Sequence, residues 1–526
     1  MTWNVEGVSI RPTSSNKLSL KDIETIKGET PAGISLYDIV KCVQRDCTVD
    51  DWLVIEVTLA QFQGDLSEVA SLICNHLDIK GHTEWDWLDV TVNLEYYHPL
   101  RVLRNICGKV NDEVKHNIIV TASYHIKPNL PWTSPVNCQL SQEIIDQCDL
   151  KNFDFDAYVQ FQLTPNVLQL SKTGTSYNSG NSKISSVSGY RKSSNSYNGL
   201  NPILGFSQSS SADEDQRHHW RTSQQIKSLS MVWWYIRQCS DKMDRTWPLV
   251  TSFTLNVLED HNAFIKAQGC EILDTLIMSS SGKQILIKSG LLDLFIDATK
   301  VCLSYLPTLT PEDTSYYILE RAYPVVLSLT ELKINSGTIS ESSSITPFIT
   351  VVNENILASI QRIRGGDSKL LCLLIEQLKN IISEHLGYQV LATLSRVLFT
   401  INQVMVDPTL FDKGAESVED ILQLCLEIQT VVFEEIATVV SHEDLEGLKL
   451  IVEYRYDFLG VWSIVYKRIR RDEAKQEEVI ETIRQNLQTL RNFATKTKVD
   501  LEKDITMICE DNRDLEGIFR EKVQVR

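Results

Sequence analysis

No stretch of the 526 residues approaches the roughly twenty consecutive apolar positions that a membrane-crossing helix needs. The opening Met1-Thr2-Trp3-Asn4-Val5-Glu6 lacks the charged-then-apolar pattern of a secretory leader. Catalytic signatures are missing as well: no GxSxG elbow, HExxH helix or GxGxxG turn is found. A basic excess is absent, and the net charge of −18 argues against nucleic acid, whose affinity would come from neutralising phosphates. That charge suits partners with basic surfaces instead. CxxC pairs are lacking too. The twelve cysteines are scattered, with Cys42 and Cys47 the nearest neighbours. Cys270, Cys302, Cys372 and Cys425 fall on apolar helical stripes, where a free thiol behaves as a small hydrophobe. Core thiols in a reducing, intracellular compartment are the expectation.

Fragments that imitate chemistry do not hold up. Ser280-Ser281-Gly282-Lys283-Gln284 matches only the end of a phosphate-binding loop, with Ile277 where the first glycine belongs and Gln284 replacing the metal-binding hydroxyl. His218-His219 sit at a linker end, and Glu434-Glu435 and Glu477-Glu478 read as solvated helix faces. Acids at Asp472 and Glu473 cancel most of the field of Arg468-Ile469-Arg470-Arg471. No enzyme, cofactor or metal site is expected; the chain should work by its surface.

What is present is helical periodicity, clearest from Trp247 to Leu332. Trp247-Pro248 opens a helix, since proline loses nothing at the first helical position. Leu249, Val250, Phe253, Val257 and Leu258 recur at three- and four-residue spacing. Glu259-Asp260-His261-Asn262 breaks the pattern, and Ile265, Gly269, Ile272, Leu273, Leu276 and Ile277 line a second helix. Such a hairpin cannot bury its apolar faces alone, so more should stack on it. Asp260 is placed to cap the second helix, Lys266 to pair with Asp260, and Ala267 and Gly269 to let helices approach. A segment from Gly290 to Leu306 stops at Pro307, and Thr310-Pro311-Glu312-Asp313 starts a further helix, expected to kink at Pro324. The fold class expected is all-α, an α-solenoid of HEAT-like hairpins with a disordered Ser-rich insert.

The flanks are read in the same way. Residues 1–30 form a loose arm and 31–165 a mostly helical region. Within it Trp52 to Leu59 is β-branched enough for a strand, although its context favours helix. Trp85, Trp87, Tyr96 and Tyr97 suggest a packed aromatic corner. Helices are expected at Leu100 to Cys107 and His116 to His125, after which Pro128, Pro131 and Pro135 end regular structure. Fourteen serines between Ser171 and Ser211 mark 166–216 as an insert that cannot offset its ordering entropy by burial. Ser209-Ser210-Ser211 before Asp213-Glu214-Asp215 suits an acid-directed kinase.

Residues 217–470 form the core of the solenoid and 471–526 its charged capping helices. The core starts with a long helix, Gln224 to Met243, with Leu229, Val232, Trp233 and Ile236 inward. Capping boxes at Ser417/Asp420 and Ser441/Asp444 open two later helices, the second striped by Leu445, Leu448, Val452, Tyr456 and Leu459.

Trp247-Pro248 and the run Val257 to Cys270 resemble the central repeat of the Tel-two-interacting-protein-two family, as do Tyr305 to Glu312 and Ala322-Tyr323-Pro324. The resemblance extends loosely from Arg217 to Lys467. It implies a non-enzymatic adaptor, the smallest subunit of the TTT complex, bound to two larger helical-repeat subunits. It implies work with the ninety-kilodalton heat-shock chaperone in maturing PI3K-related kinases, of the TOR, ATM-like and ATR-like kinds, in cytoplasm and nucleus. The positions it marks are Trp247, Asp260, Lys266, Gly269, Pro307, Leu309, Ala322 and Tyr323, as fold-holding or partner-contact residues. An importin-like or phosphatase-type scaffold for basic peptides remains the alternative.

Overall fold

The computed structural model describes residues 3–5, 8–10, 36–44, 47–79, 87–88, 96–148, 150–171, 224–239, 243–336, 345–363, 368–412, 418–439, 445–469 and 476–520. The Ser-rich insert beyond residue 171, the acid-flanked serines, His218-His219, Trp85, Ser417 and the Ser441/Asp444 pair lie outside the described residues. The chain divides into two compact units, residues 1–260 with 271–285 and residues 261–270 with 286–526. This division falls inside the stretch 217–470 that the sequence suggests as one block.

In the first unit, β1 (Trp3–Val5) and β2 (Val8–Ile10) pair antiparallel, so the segment expected to be a loose arm holds a short hairpin. Among the described residues the other elements are helices: α1 (Leu36–Val43), α2 (Val49–Gln61), α3 (Ser67–His76), α4 (Tyr97–Ile106), α5 (Asp112–Ser123), α6 (Pro135–Gln147), α7 (Phe155–Ser171), α8 (Ser228–Gln238) and α9 (Trp247–Glu259). α10 (Ala263–Met278) and α11 (Ser280–Ser289) each give part of their length to both units. α11 ends at Gly290, whose φ of +67° is open to glycine without strain.

The helices pack in two series. α1, α3, α5 and α8 form one series, and α2, α4 and α6 another. Arg101 on α4 reaches Glu56 on α2 at 2.8 Å, and Arg104 reaches Glu143 on α6 at 2.8 Å. Lys109 places its ammonium against the carbonyls of Leu59, Ala60 and Phe62, closing the C-terminal end of α2. The β-branched run from Trp52 to Leu59 is helical as expected. Thr48 and Asp51 make a reciprocal capping box, and Trp52, Ile55 and Leu59 share one buried face.

Two differences from the sequence reading have local causes. Pro135 opens α6 instead of ending regular structure, because Ser134 caps the helix by accepting the Asn137 N–H at 3.1 Å. α8 is shorter than expected, and Trp234 points inward instead of Trp233, whose ring lies 4.5 Å from the Arg237 guanidinium. The aromatic corner is in part a pairing with histidine, since Tyr96 packs on His125 with ring centroids 4.8 Å apart.

The second unit holds α12 (Leu292–Cys302), α13 (Glu312–Asn335) and α14 (Thr346–Thr350), which continues through a π-helical stretch (Val351–Ile356) into α15 (Leu357–Ile363). α16 (Ser368–Ile381), α17 (Leu394–Met405), α18 (Pro408–Asp412), α19 (Val418–Val439), α20 (Glu446–Glu453), α21 (Arg455–Ile469), α22 (Gln476–Thr497), α23 (Leu501–Asp511) and α24 (Glu516–Phe519) follow. Two series form here as well, α13, α16, α19 and α22 in one and α15, α17 and α21 in the other. α13 runs unbroken through Pro324. The carbonyl that loses its partner there belongs to Glu320, and both residues are exposed, so water can replace the bond.

The stripe expected from Leu445 to Leu459 is interrupted at Tyr454, where α20 ends and α21 begins. The break resets the helical phase and leaves Tyr456 exposed, while Leu448, Val452 and Leu459 stay buried. α22 is no mere cap: Val479, Ile483, Leu487, Leu490 and Phe493 are buried along one face.

Candidate interaction surface

Among the described residues, no group of three or more His, Cys, Asp or Glu side chains could hold a metal ion, and no helix is long and apolar enough to cross a membrane. Ser280 to Gln284, the fragment of a phosphate loop, is the first turn of α11, where Ser279 accepts the Gly282 N–H at 3.0 Å. The shape of the surface therefore carries the question of function.

The marked residues separate by exposure. Trp247, Gly269, Ala322 and Tyr323 are buried, and so are Asp260 at 2% and Lys266 at 7% exposed. Pro307 is half-buried and Leu309 is 83% exposed. Of the marked residues, Leu309 in the loop from α12 to α13 is the one that offers an incoming protein an open apolar side chain, with Val301 also open on the last turn of α12. A large apolar side chain in water gains most from being covered.

At the turn between α9 and α10, Asn262 accepts the N–H groups of Phe264 at 2.9 Å and Ile265 at 3.3 Å, and the Asp260 backbone closes α9. Near that turn lies a contact the sequence did not disclose. Gln268 donates to the Tyr317 hydroxyl at 2.8 Å, Phe264 meets the Tyr317 ring edge-on at 5.0 Å, and Arg321 stacks on its face at 3.8 Å. Tyr317 joins α10 to α13, about fifty residues apart in sequence.

A second surface feature is a cleft of about 750 Å³ between α16, α19 and α22. Glu376, Glu419, Asp420, Glu427, Glu477 and Glu478 line it, and Lys379 pairs with Glu427 at 3.0 Å. Glu477 and Glu478, expected as a merely solvated face, thus belong to a concave acidic wall.

A sequence model of the Tti2 family matches residues 118–412. The chain belongs to the Tti2 family. No curated protein and no solved structure matches it significantly. The match runs from within α5 to the end of α18, so it starts well before Arg217, where the visible motifs begin, and takes in α6 and α7. The Tti2 family is one of adaptors and not a class of enzymes, and membership implies protein–protein interactions within the TTT complex.

Proposed function

We propose that this protein is the adaptor subunit of a TTT complex that supports the stability and maturation of PI3K-related kinases of the TOR, ATM-like and ATR-like kinds. It would bind two larger helical-repeat subunits, with the ninety-kilodalton heat-shock chaperone engaged indirectly, in cytoplasm and nucleus. The family match over residues 118–412 carries this reading. It is supported by helices that pack in two series within each unit, as a HEAT-like α-solenoid does. Leu309 and Pro307 are the contact we assign to a partner subunit, and the buried Asp260 and Lys266 we assign to holding the fold. Capture of the full-length tagged chain from cell extract should bring down two larger helical-repeat proteins, and depletion should lower the kinases' abundance. Failure of both under gentle salt would overturn the proposal.

A second reading rests on the acidic cleft, whose six carboxylates favour a basic peptide as ligand, as in other repeat scaffolds. A fluorescent Lys/Arg-rich peptide should then bind with strong salt dependence and lose affinity in the Glu376→Gln/Glu477→Gln variant. Unchanged affinity in that variant would remove the cleft from consideration.

A further inference from the structure

Twelve thiols in one chain could be indifferent core filling, and for most of them burial makes that so. Cys74, Cys107, Cys148, Cys270, Cys302, Cys425 and Cys509 are buried. Cys42 and Cys47 differ in both position and access. Cys42 lies in the last turn of α1 and Cys47 just precedes Thr48, the cap of α2, so the two stand at the end of one helix and the start of the next. Their sulfurs are 3.8 Å apart, in van der Waals contact, and the Cys47 thiol also donates to the Cys42 carbonyl at 3.2 Å. Both are partly open to solvent. Cys270 and Cys302 show the contrast: their sulfurs are 4.0 Å apart, yet both residues are wholly buried, out of reach of a dissolved oxidant.

We propose that Cys42 and Cys47 are a thiol-disulfide modification site, oxidised by hydroperoxides to a disulfide that ties the end of α1 to the start of α2. A peroxide first oxidises one thiol. The O–O bond breaks, an S–O bond forms, and one water leaves from hydrogen peroxide, or an alcohol from an organic hydroperoxide. The second sulfur then attacks the sulfenic sulfur, the S–S bond forms, the S–O bond breaks, and the hydroxyl departs as water with the second thiol's proton. Two thiols and one hydrogen peroxide thus become one disulfide and two waters. The sulfurs must approach from contact to a bond of about 2.05 Å, a closure within the range of side-chain rotation because the two thiols already lie side by side.

The test uses the full-length chain, reduced and then exposed to limiting hydrogen peroxide, with alkylation and peptide mapping by mass spectrometry over time. The Cys42–Cys47 cross-link should be the first modification, intramolecular and reversed by dithiothreitol. In Cys42→Ser the disulfide should vanish, and Cys47 should accumulate as a dimedone-reactive sulfenic acid because its resolving thiol is gone. Cys47→Ser should give the reciprocal result, while Cys270→Ser leaves the cross-link and its rate unchanged. Far-ultraviolet circular dichroism checks that each variant is folded. Oxidation of the buried thiols before this pair, pairing between chains, or separate overoxidation of Cys42 and Cys47 without a cross-link would each overturn the proposal.

Discussion

The two units place their polar groups in opposite ways. The first buries ionisable side chains. Lys127 is fully buried and ion-paired with Glu271, and His125 is enclosed with its Nε2 at 2.8 Å from the Leu77 carbonyl. The second joins its later helices through neutral amides, although Lys266 and Asp407 are buried there as well. Gln429, wholly buried, accepts from the Trp462 indole at 2.9 Å and donates to Asn402 at 3.2 Å, so it joins α19, α21 and α17. Asn486 on α22 donates to the Leu426 carbonyl at 3.1 Å and accepts from Thr430 at 2.8 Å. The carboxylates of this unit gather instead on the cleft wall. A buried charge is tolerated only while its partner remains, whereas an amide network is insensitive to protons. The first unit should therefore be the pH-sensitive one.

The sharpest way to break this contrast is Lys127→Ala, which strands the Glu271 carboxylate. We expect a loss of about 3–5 kcal/mol in chemical denaturation, confined to the first unit's transition. Acidification should come next. Burial holds His125 down to about 4 from an ordinary 6.5, and burial, with Arg101 adding to it, does the same to His98. The unfolded chain takes up protons below about pH 6.5 and the folded chain does not, so stability present above that pH is lost as pH falls towards 4. For His125 this amounts to about 3 kcal/mol. His125→Gln should flatten the pH profile of the first unit between those limits, and an unaltered profile would break the comparison.

Gln429→Ala should cost about 1–3 kcal/mol in the second unit, by leaving the Trp462 N–H and the Asn402 oxygen without that partner, and with no pH dependence across the same window. Smaller still, Asn262→Ala removes the cap of α10 at about 1 kcal/mol. Leu309→Ser comes last. It should shift the melting temperature by no more than the equivalent of about 0.5 kcal/mol, yet reduce capture of the larger subunits. Retained capture would return Leu309 to an ordinary surface residue.

Much of the fold could be read from residues. Apolar positions at helical spacing, Trp247-Pro248 at a helix start and the Thr48/Asp51 box are local signals, and the helices stand where those signals fall. What escaped was equally specific. α6 begins with Ser134-Pro135, a legible start that three neighbouring prolines obscured. On α8, Leu229, Val232 and Ile236 are buried as expected, and only Trp233 gives way to Trp234, because the two are alike in type and differ only in what surrounds them. The candidate surface was half legible. Pro307 and Leu309 stood out in the sequence, but so did Ala322 and Tyr323, and only burial separates the first pair from the second.

The sequence by itself determined that the chain is helical, that its helices come as hairpins, and which family it resembles. These follow from hydrogen bonds and side-chain periods spanning a few residues, which neighbouring positions encode directly. Only the tertiary structure decided that Tyr317 bridges α10 to α13, and that Glu376, Asp420 and Glu477 share one cleft. Each of those depends on segments far apart in sequence coming together, and no local pattern records that approach.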